Sequence, residues 1–287
     1  MKNATVVSNN TVPIQKSSVL KKRIDFRTLF QNMLPIILFF ILWEVLGRLN
    51  QEFNWINPLF LPPPTLIISD GLVLAETGII TSSIISSTFR ILAGFSLGCI
   101  VAVLTGVIMS RSRFVETWIS PIINLVGPIP ALALLPLFII WFGIGEFPKI
   151  LLIAWSTFIP VLIYTLDGLK SVNSTLIRSA LSLGANQRQI FTRVILPSAI
   201  PSILVGIEVS LGLSFSALVV SEMMGAENGL GYIIVDARNY FKISNMFVAI
   251  ILIGLEYSLF AYLLKKMKNR ILFWRKGGAR AAIETKK

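Results

Sequence analysis

The sequence predicts an all-α protein that crosses a membrane six times, and three observations predict it. Only 14% of the 287 residues are charged while 54% are hydrophobic, whereas soluble domains carry about 25% charge. The apolar residues fall in runs, giving a mean hydropathy of +0.77, and several runs approach the roughly 17–25 residues that a bilayer crossing needs. Basic residues collect at the two ends and in alternate connections, which is how membrane proteins place them.

The first span runs from about Leu34 to Leu49, the second from Thr88 to Met109, and the fourth from Ile150 to Leu166. The fifth runs from Ala199 to Val220 and the sixth from Phe247 to Leu264. The third, from about Val115 to Phe142, is long and interrupted by Pro121, Pro128, Pro130 and Pro136. With both ends in the cytoplasm, the inner segments hold 21 lysines and arginines and the outer segments three (Lys149, Arg238 and Lys242). The stretch from Leu49 to Ser87 has no basic residue, so it is expected outside, with Leu61-Pro62-Pro63-Pro64 as an extended turn. The expected organisation is a basic cytoplasmic tail over 1–28, a transmembrane domain over 29–268 and a second basic tail over 269–287.

Composition also excludes chemistry. There is no histidine, so His-ligated zinc or haem and a Ser–His–Asp triad are ruled out, and neither a catalytic residue nor a metal site is predicted. Cys99 is the single cysteine, so no internal disulfide forms. The net charge of +12 is explained by membrane topology rather than nucleic acid. No G-x-x-x-x-G-K-[ST] loop occurs, so the chain lacks that device for holding nucleotide phosphates. No cofactor is expected in this chain.

The most informative segment is the inner connection within 172–200, which reads as two short helices. Asn173 or Ser174 caps the first, and Leu176, Ala180 and Leu183 give it an apolar stripe. Gly184 stops it by taking a left-handed conformation. Asn186 and Gln189 stand in capping-box spacing for the second. Ile190, Phe191 and Val194 form its stripe, and Leu196-Pro197 is expected to end it. Such a pair either lies on its own protein or the lipid surface, or is covered by a partner.

Ser179-Ala180, Gly184, Val194, Leu196 and Pro197 resemble the coupling loop of ABC importer permeases. Further motifs extend the resemblance over about Leu61 to Leu264: Ser87, Arg90, Gly94 and Gly98 in span two; Gly127-Pro128-Ile129-Pro130 and Trp141-Phe142-Gly143 around span three; and Glu222-Met223 with Gly229-Leu230-Gly231-Tyr232 after span five. The branch resembled serves nitrate, sulfonate, taurine, bicarbonate and thiamine-precursor importers. The resemblance implies a bacterial inner-membrane subunit of the ABC importer permease fold. It implies that the helix pair docks in a groove of a separate ATPase subunit, which binds the ATP. It further implies a binding protein outside and a second permease copy, two-fold pairs being the commonest closed assembly. Arg178 stands where the family has Glu, reversing that charge. An ion-coupled secondary transporter is the alternative, but it needs no docking loop.

Other positions have two readings each. Gly94 and Gly98 form a small-residue face that packs helices closely or touches substrate. Gly127, Pro128, Pro130 and Pro136 line a pathway or merely kink span three. Glu44 and Arg48, four apart, are placed to pair. Arg90, near the outer end of span two, is expected to snorkel. Glu208 occupies a point where the branch commonly has Arg, and is either a solvated interface charge or a pathway residue. Glu222 is expected at the outer end of span five, as a pathway residue near the binding-protein docking face.

Overall fold

The computed structural model describes residues 26–273, so residues 1–25 and 274–287, most of the two basic tails, lie outside them. Among the described residues the chain is helical throughout, with no strand. Helix α1 spans Phe26–Phe53, α2 Pro64–Glu76, α3 Ile79–Arg111, α4 Arg113–Val126, α5 Ala131–Phe142 and α6 Glu146–Lys170. Then come α7 Ser174–Ser182, α8 Gln187–Ile190, a π-helical turn Phe191–Ile195, α9 Leu196–Gly225, α10 Leu230–Asn239 and α11 Ile243–Ile271. Five of these elements are long and apolar enough to cross a membrane; α4 and α5, bent by 102° at the break between them, reach that length and hydropathy only as a pair.

The centre of the molecule is the three-helix contact of α3, α6 and α9. Along α3 the buried positions Ser87, Ile91, Gly94, Gly98, Ala102 and Gly106 recur at close to helical spacing and make a narrow, mostly small-residue face. A Cβ on Gly94 would sit 2.6 Å from Ile153 Cβ, and one on Gly98 would sit 2.5 Å from the Ala154 carbonyl oxygen. The small-residue face is therefore a packing face, and it brings α3 and α6 into backbone contact in parallel. Helix α9 returns antiparallel to α6, with Gly206 pressed against Tyr164 and the Thr157 and Ser214 hydroxyls 2.7 Å apart. Ile91, Leu135, Leu152, Ile153, Leu211 and Leu218 fill the middle. Met109, Val161 and Leu162 fill one end. Over residues 33–53, helix α1 lies at the periphery with most of those side chains exposed, as a helix surrounded by lipid requires.

Two connections differ from expectation. The Pro62–Pro64 run starts a helix instead of making only an extended turn. Pro64 occupies the first position of α2, where its missing N–H costs nothing. The Glu44 carboxylate accepts from the Thr65 backbone N–H at 3.1 Å and from its hydroxyl at 2.8 Å. Glu44 also pairs with Arg48 at 2.6 Å as expected, so one side chain ties α1 to α2. At the other connection Leu196-Pro197 does not end a helix. The chain widens into the π-helical turn, Leu196 N–H donates to the Phe191 carbonyl, and α9 follows directly. Proline is tolerated there because it lies in the first turn of α9 and the widened turn relieves its clash with the preceding carbonyl.

Candidate functional site

The functional region has three parts: a helical turn at one end, a cavity in the middle and a charged cluster at the other end. All three meet on α9.

The turn is built by local capping. Asn173 Oδ1 accepts from Thr175 N–H at 2.8 Å and starts α7. Gly184 adopts φ of +79°, and the Ala185 N–H reaches back to the Ala180 carbonyl at 3.0 Å. Asn186 and Gln189 exchange two 2.9 Å hydrogen bonds, a complete capping box. The two apolar stripes have different fates. Ile190 is buried, and Phe191 packs with Leu169, Ala199 and Ile203 while the Arg111 guanidinium sits 4.8 Å from its ring centre. The first helix instead turns Leu176 and Leu181 outward, and Leu183 is 88% exposed. Arg178 and Ser179 are exposed, with Arg178 Nη2 3.4 Å from Ser174 Oγ, while Ala180 is half-buried. The space beside Gly184 is open. Val194, Leu196 and Pro197 are half-buried where the turn enters α9.

The cavity, of about 350 Å³, opens at the bend between α4 and α5. Gly127, Pro128, Ile129 and Pro130 form one wall, Trp155, Ser156 and Pro160 of α6 a second, and Leu213, Ser216 and Val220 of α9 a third. No acidic or basic side chain is among its lining residues. The broken helix thus produces both the bend and the wall, since Pro128 and Pro130 interrupt the chain between α4 and α5. Pro136 lies inside α5 and does not reach the cavity. Glu208 does not reach it either. It pairs with Lys268 of α11 at 2.6 Å, both side chains about one-third exposed.

The cluster centres on Arg90, which is 2% exposed and does not snorkel. Its Nε and Nη2 donate to the two oxygens of Glu146 at 2.6 and 2.8 Å. Its Nη1 donates to Glu222 Oε1 and to the Asn228 carbonyl, both at 2.8 Å, and Nη2 also reaches Asn228 Oδ1 at 2.6 Å. Glu222 is fully buried and accepts from Ser87 Oγ at 2.7 Å and from Gly231 N–H at 2.8 Å. Lys149 adds a bond to Glu146 at 3.0 Å. Two cations and two carboxylates therefore balance. That balance is why an arginine survives inside an apolar span, since a charge there normally needs a partner. Snorkelling was the wrong expectation because Glu146 and Asn228, 56 and 138 residues away, come within reach only in the fold. The signal in the sequence was isolated charges at the span ends: Arg90 near the outer end of span two, Glu146 just before span four and Glu222 just past span five.

Comparison with known proteins agrees with this architecture. The family model for the inner membrane component of binding-protein-dependent transport systems matches residues 94–270. A putative aliphatic sulfonates transport permease of Bacillus subtilis is 35% identical over 85% of this chain and 86% of its own length. A taurine transport system permease of Escherichia coli is 37% identical over 76% of this chain and 82% of its own. In fold, the chain is similar to a solved methionine ABC transporter in an inward facing conformation, at a TM-score of 0.58 and 18% identity over 67% of this chain and 96% of that one. The chain belongs to the family of inner membrane components of binding-protein-dependent transport systems, and is the transmembrane permease subunit of an ABC importer.

Proposed function

We propose that the chain forms half of a two-fold symmetric pathway for a small polar solute of the organosulfonate class, and that a separate ATPase subunit drives it through the turn at Ser174–Pro197. The observation that carries this reading is α9. It is one continuous helix from Leu196, where it receives the capped turn, to Gly225, past the cavity residues Leu213, Ser216 and Val220. A displacement of the turn is therefore delivered to the cavity wall without a joint between them. The exposed Leu176, Leu181 and Leu183 supply an apolar face for the ATPase groove, and the open space at Gly184 lets that groove approach closely.

In this reading both termini lie inside and the end bearing α2 and α10 lies outside, where a loaded binding protein docks. ATP closes the ATPase pair inside, the grooves carry the turns with them, and the cavity at the α4–α5 bend changes its opening. Energy comes from the ATPase alone, because this sequence has no phosphate-binding loop. The organosulfonate class follows the names of the two relatives, and the wall itself presents no charge that would select among solutes.

Reconstitution tests the proposal. With its ATPase and binding protein in liposomes, the wild-type chain takes up taurine or an alkanesulfonate only with ATP inside the ATPase compartment. Gly184→Arg, which fills the open approach, abolishes uptake while the permease remains folded. Uptake that persists without ATP, or that follows an ion gradient, contradicts it.

A further inference from the structure

We propose that Arg90 is the positioning residue that relays docking of the outer binding protein into the spans, with Glu146 and Asn228 as its outward contacts. The proposal rests on the importer reading above.

Three observations carry it. Arg90 is the one described side chain that bonds at once to the start of α6, through Glu146, to the end of α9, through Glu222, and to the turn leading into α10, through Asn228. It does so from α3, so all three central helices and the outer turn converge on one guanidinium. A planar fork with fixed donor directions holds such an arrangement where a flexible ammonium does not. Next, the turn is gripped as a unit. Leu230 N–H donates to Ser87 Oγ at 3.0 Å and Gly231 N–H to Glu222. Gly229 takes φ of +124°, where a Cβ would fall 2.5 Å from the Glu222 carboxyl and 2.7 Å from Arg90 Nη1. The backbone of this turn is thus fitted to the ion cluster with no room to spare.

Finally, the cluster is buried at its centre but reaches the surface at two points. Arg90 and Glu222 are sealed, whereas the Glu146 side chain is half exposed and Asn228 is exposed. A protein docking on this end touches Glu146 and Asn228, and each of them holds the Arg90 fork directly. A contact that draws either away changes which acceptors the fork has, and with them the relative positions of α3, α6 and α9. Packed interiors answer such a change by shifting between discrete arrangements rather than by yielding smoothly.

The test uses the reconstituted complex of permease, ATPase and binding protein, and reads the ratio of binding-protein-stimulated to basal ATPase activity. Glu146→Asp, which shortens the reach but keeps the charge, and Asn228→Ala weaken the outward contacts and leave the sealed Arg90–Glu222 pair in place. Each lowers the stimulation ratio by at least about fivefold, the lower end of usual site-to-site coupling, while the complex assembles normally and transport per ATP falls. Glu76→Gln, at the same end but outside the cluster, keeps the wild-type ratio. A merely structural role predicts that basal and stimulated activities fall together, and that outcome, or an unchanged ratio in both variants, overturns the proposal. If the wild-type complex shows no stimulation at all, the importer reading fails and the relay with it.

Discussion

Arg90 and Glu222 are separated by 132 residues of sequence and meet at 2.8 Å in a place closed to solvent on both sides. Removing one partner leaves the other charge buried and unpaired, which costs about 3–5 kcal/mol. Arg90→Met should therefore lower the thermal stability of the detergent-solubilised chain severely, and Arg90→Lys should lower it less, because the charge stays and only the fork is lost. Equal stability of Arg90→Met and wild type would show that the cluster does not hold the helices.

Helix packing gives a second test. A Cβ at Gly98 meets the Ala154 carbonyl oxygen at 2.5 Å and Thr157 Cβ at 2.6 Å, both fixed in α6. At Gly212 the nearest neighbour is the Tyr257 hydroxyl at 4.0 Å. Overpacking of this kind costs about 1–3 kcal/mol, so Gly98→Ala should destabilise by that amount. Gly212→Ala should be neutral or stabilising, and thermal unfolding distinguishes them.

The cavity can be mapped chemically. In a Cys99→Ser background, which removes the sole native thiol, single cysteines at Ile129, Ala131 and Leu132 should react with a water-soluble maleimide, because all three positions line the cavity. A cysteine at Leu135, which is 0% exposed, should not. Cargo should slow the first three reactions. Uniformly inert positions would mean that the α4–α5 bend is a kink and lines no pathway.

Glu208 and Lys268 form a partly exposed pair between α9 and α11, and pairs of that kind contribute about 0–1 kcal/mol. Glu208→Gln should change unfolding temperature little and leave uptake at wild-type level. A large loss of uptake with unchanged stability would place Glu208 on the pathway after all.

The sequence revealed what depends on neighbours a few residues apart. Hydropathy located the five single-helix crossings and the broken α4–α5 segment, since a bilayer imposes length and composition on each. The caps at Asn173, Gly184, Asn186 and Gln189 were legible because each acts within four residues. Helix α2 was obscured by its prolines: a Pro run reads as extended chain unless the last one opens a helix, and the cap that makes this one do so is Glu44, on another helix. The continuity of α9 was hidden for a similar reason, since a single π-helical turn leaves no periodic trace in five residues. The Arg90 cluster was invisible as a cluster because its partners lie 56 to 138 residues away. Isolated charges at the span ends pointed to partners without saying which.

Coupling to a separate ATPase through the capped turn is the central claim, and co-purification tests it most directly. Tagged wild-type chain extracted from its native membrane in mild detergent should retain an ATPase subunit, and Gly184→Arg should lose it while the permease still elutes as a folded, monodisperse protein. Recovery of no ATPase under conditions that preserve other membrane complexes, or undiminished recovery with Gly184→Arg, would contradict the account.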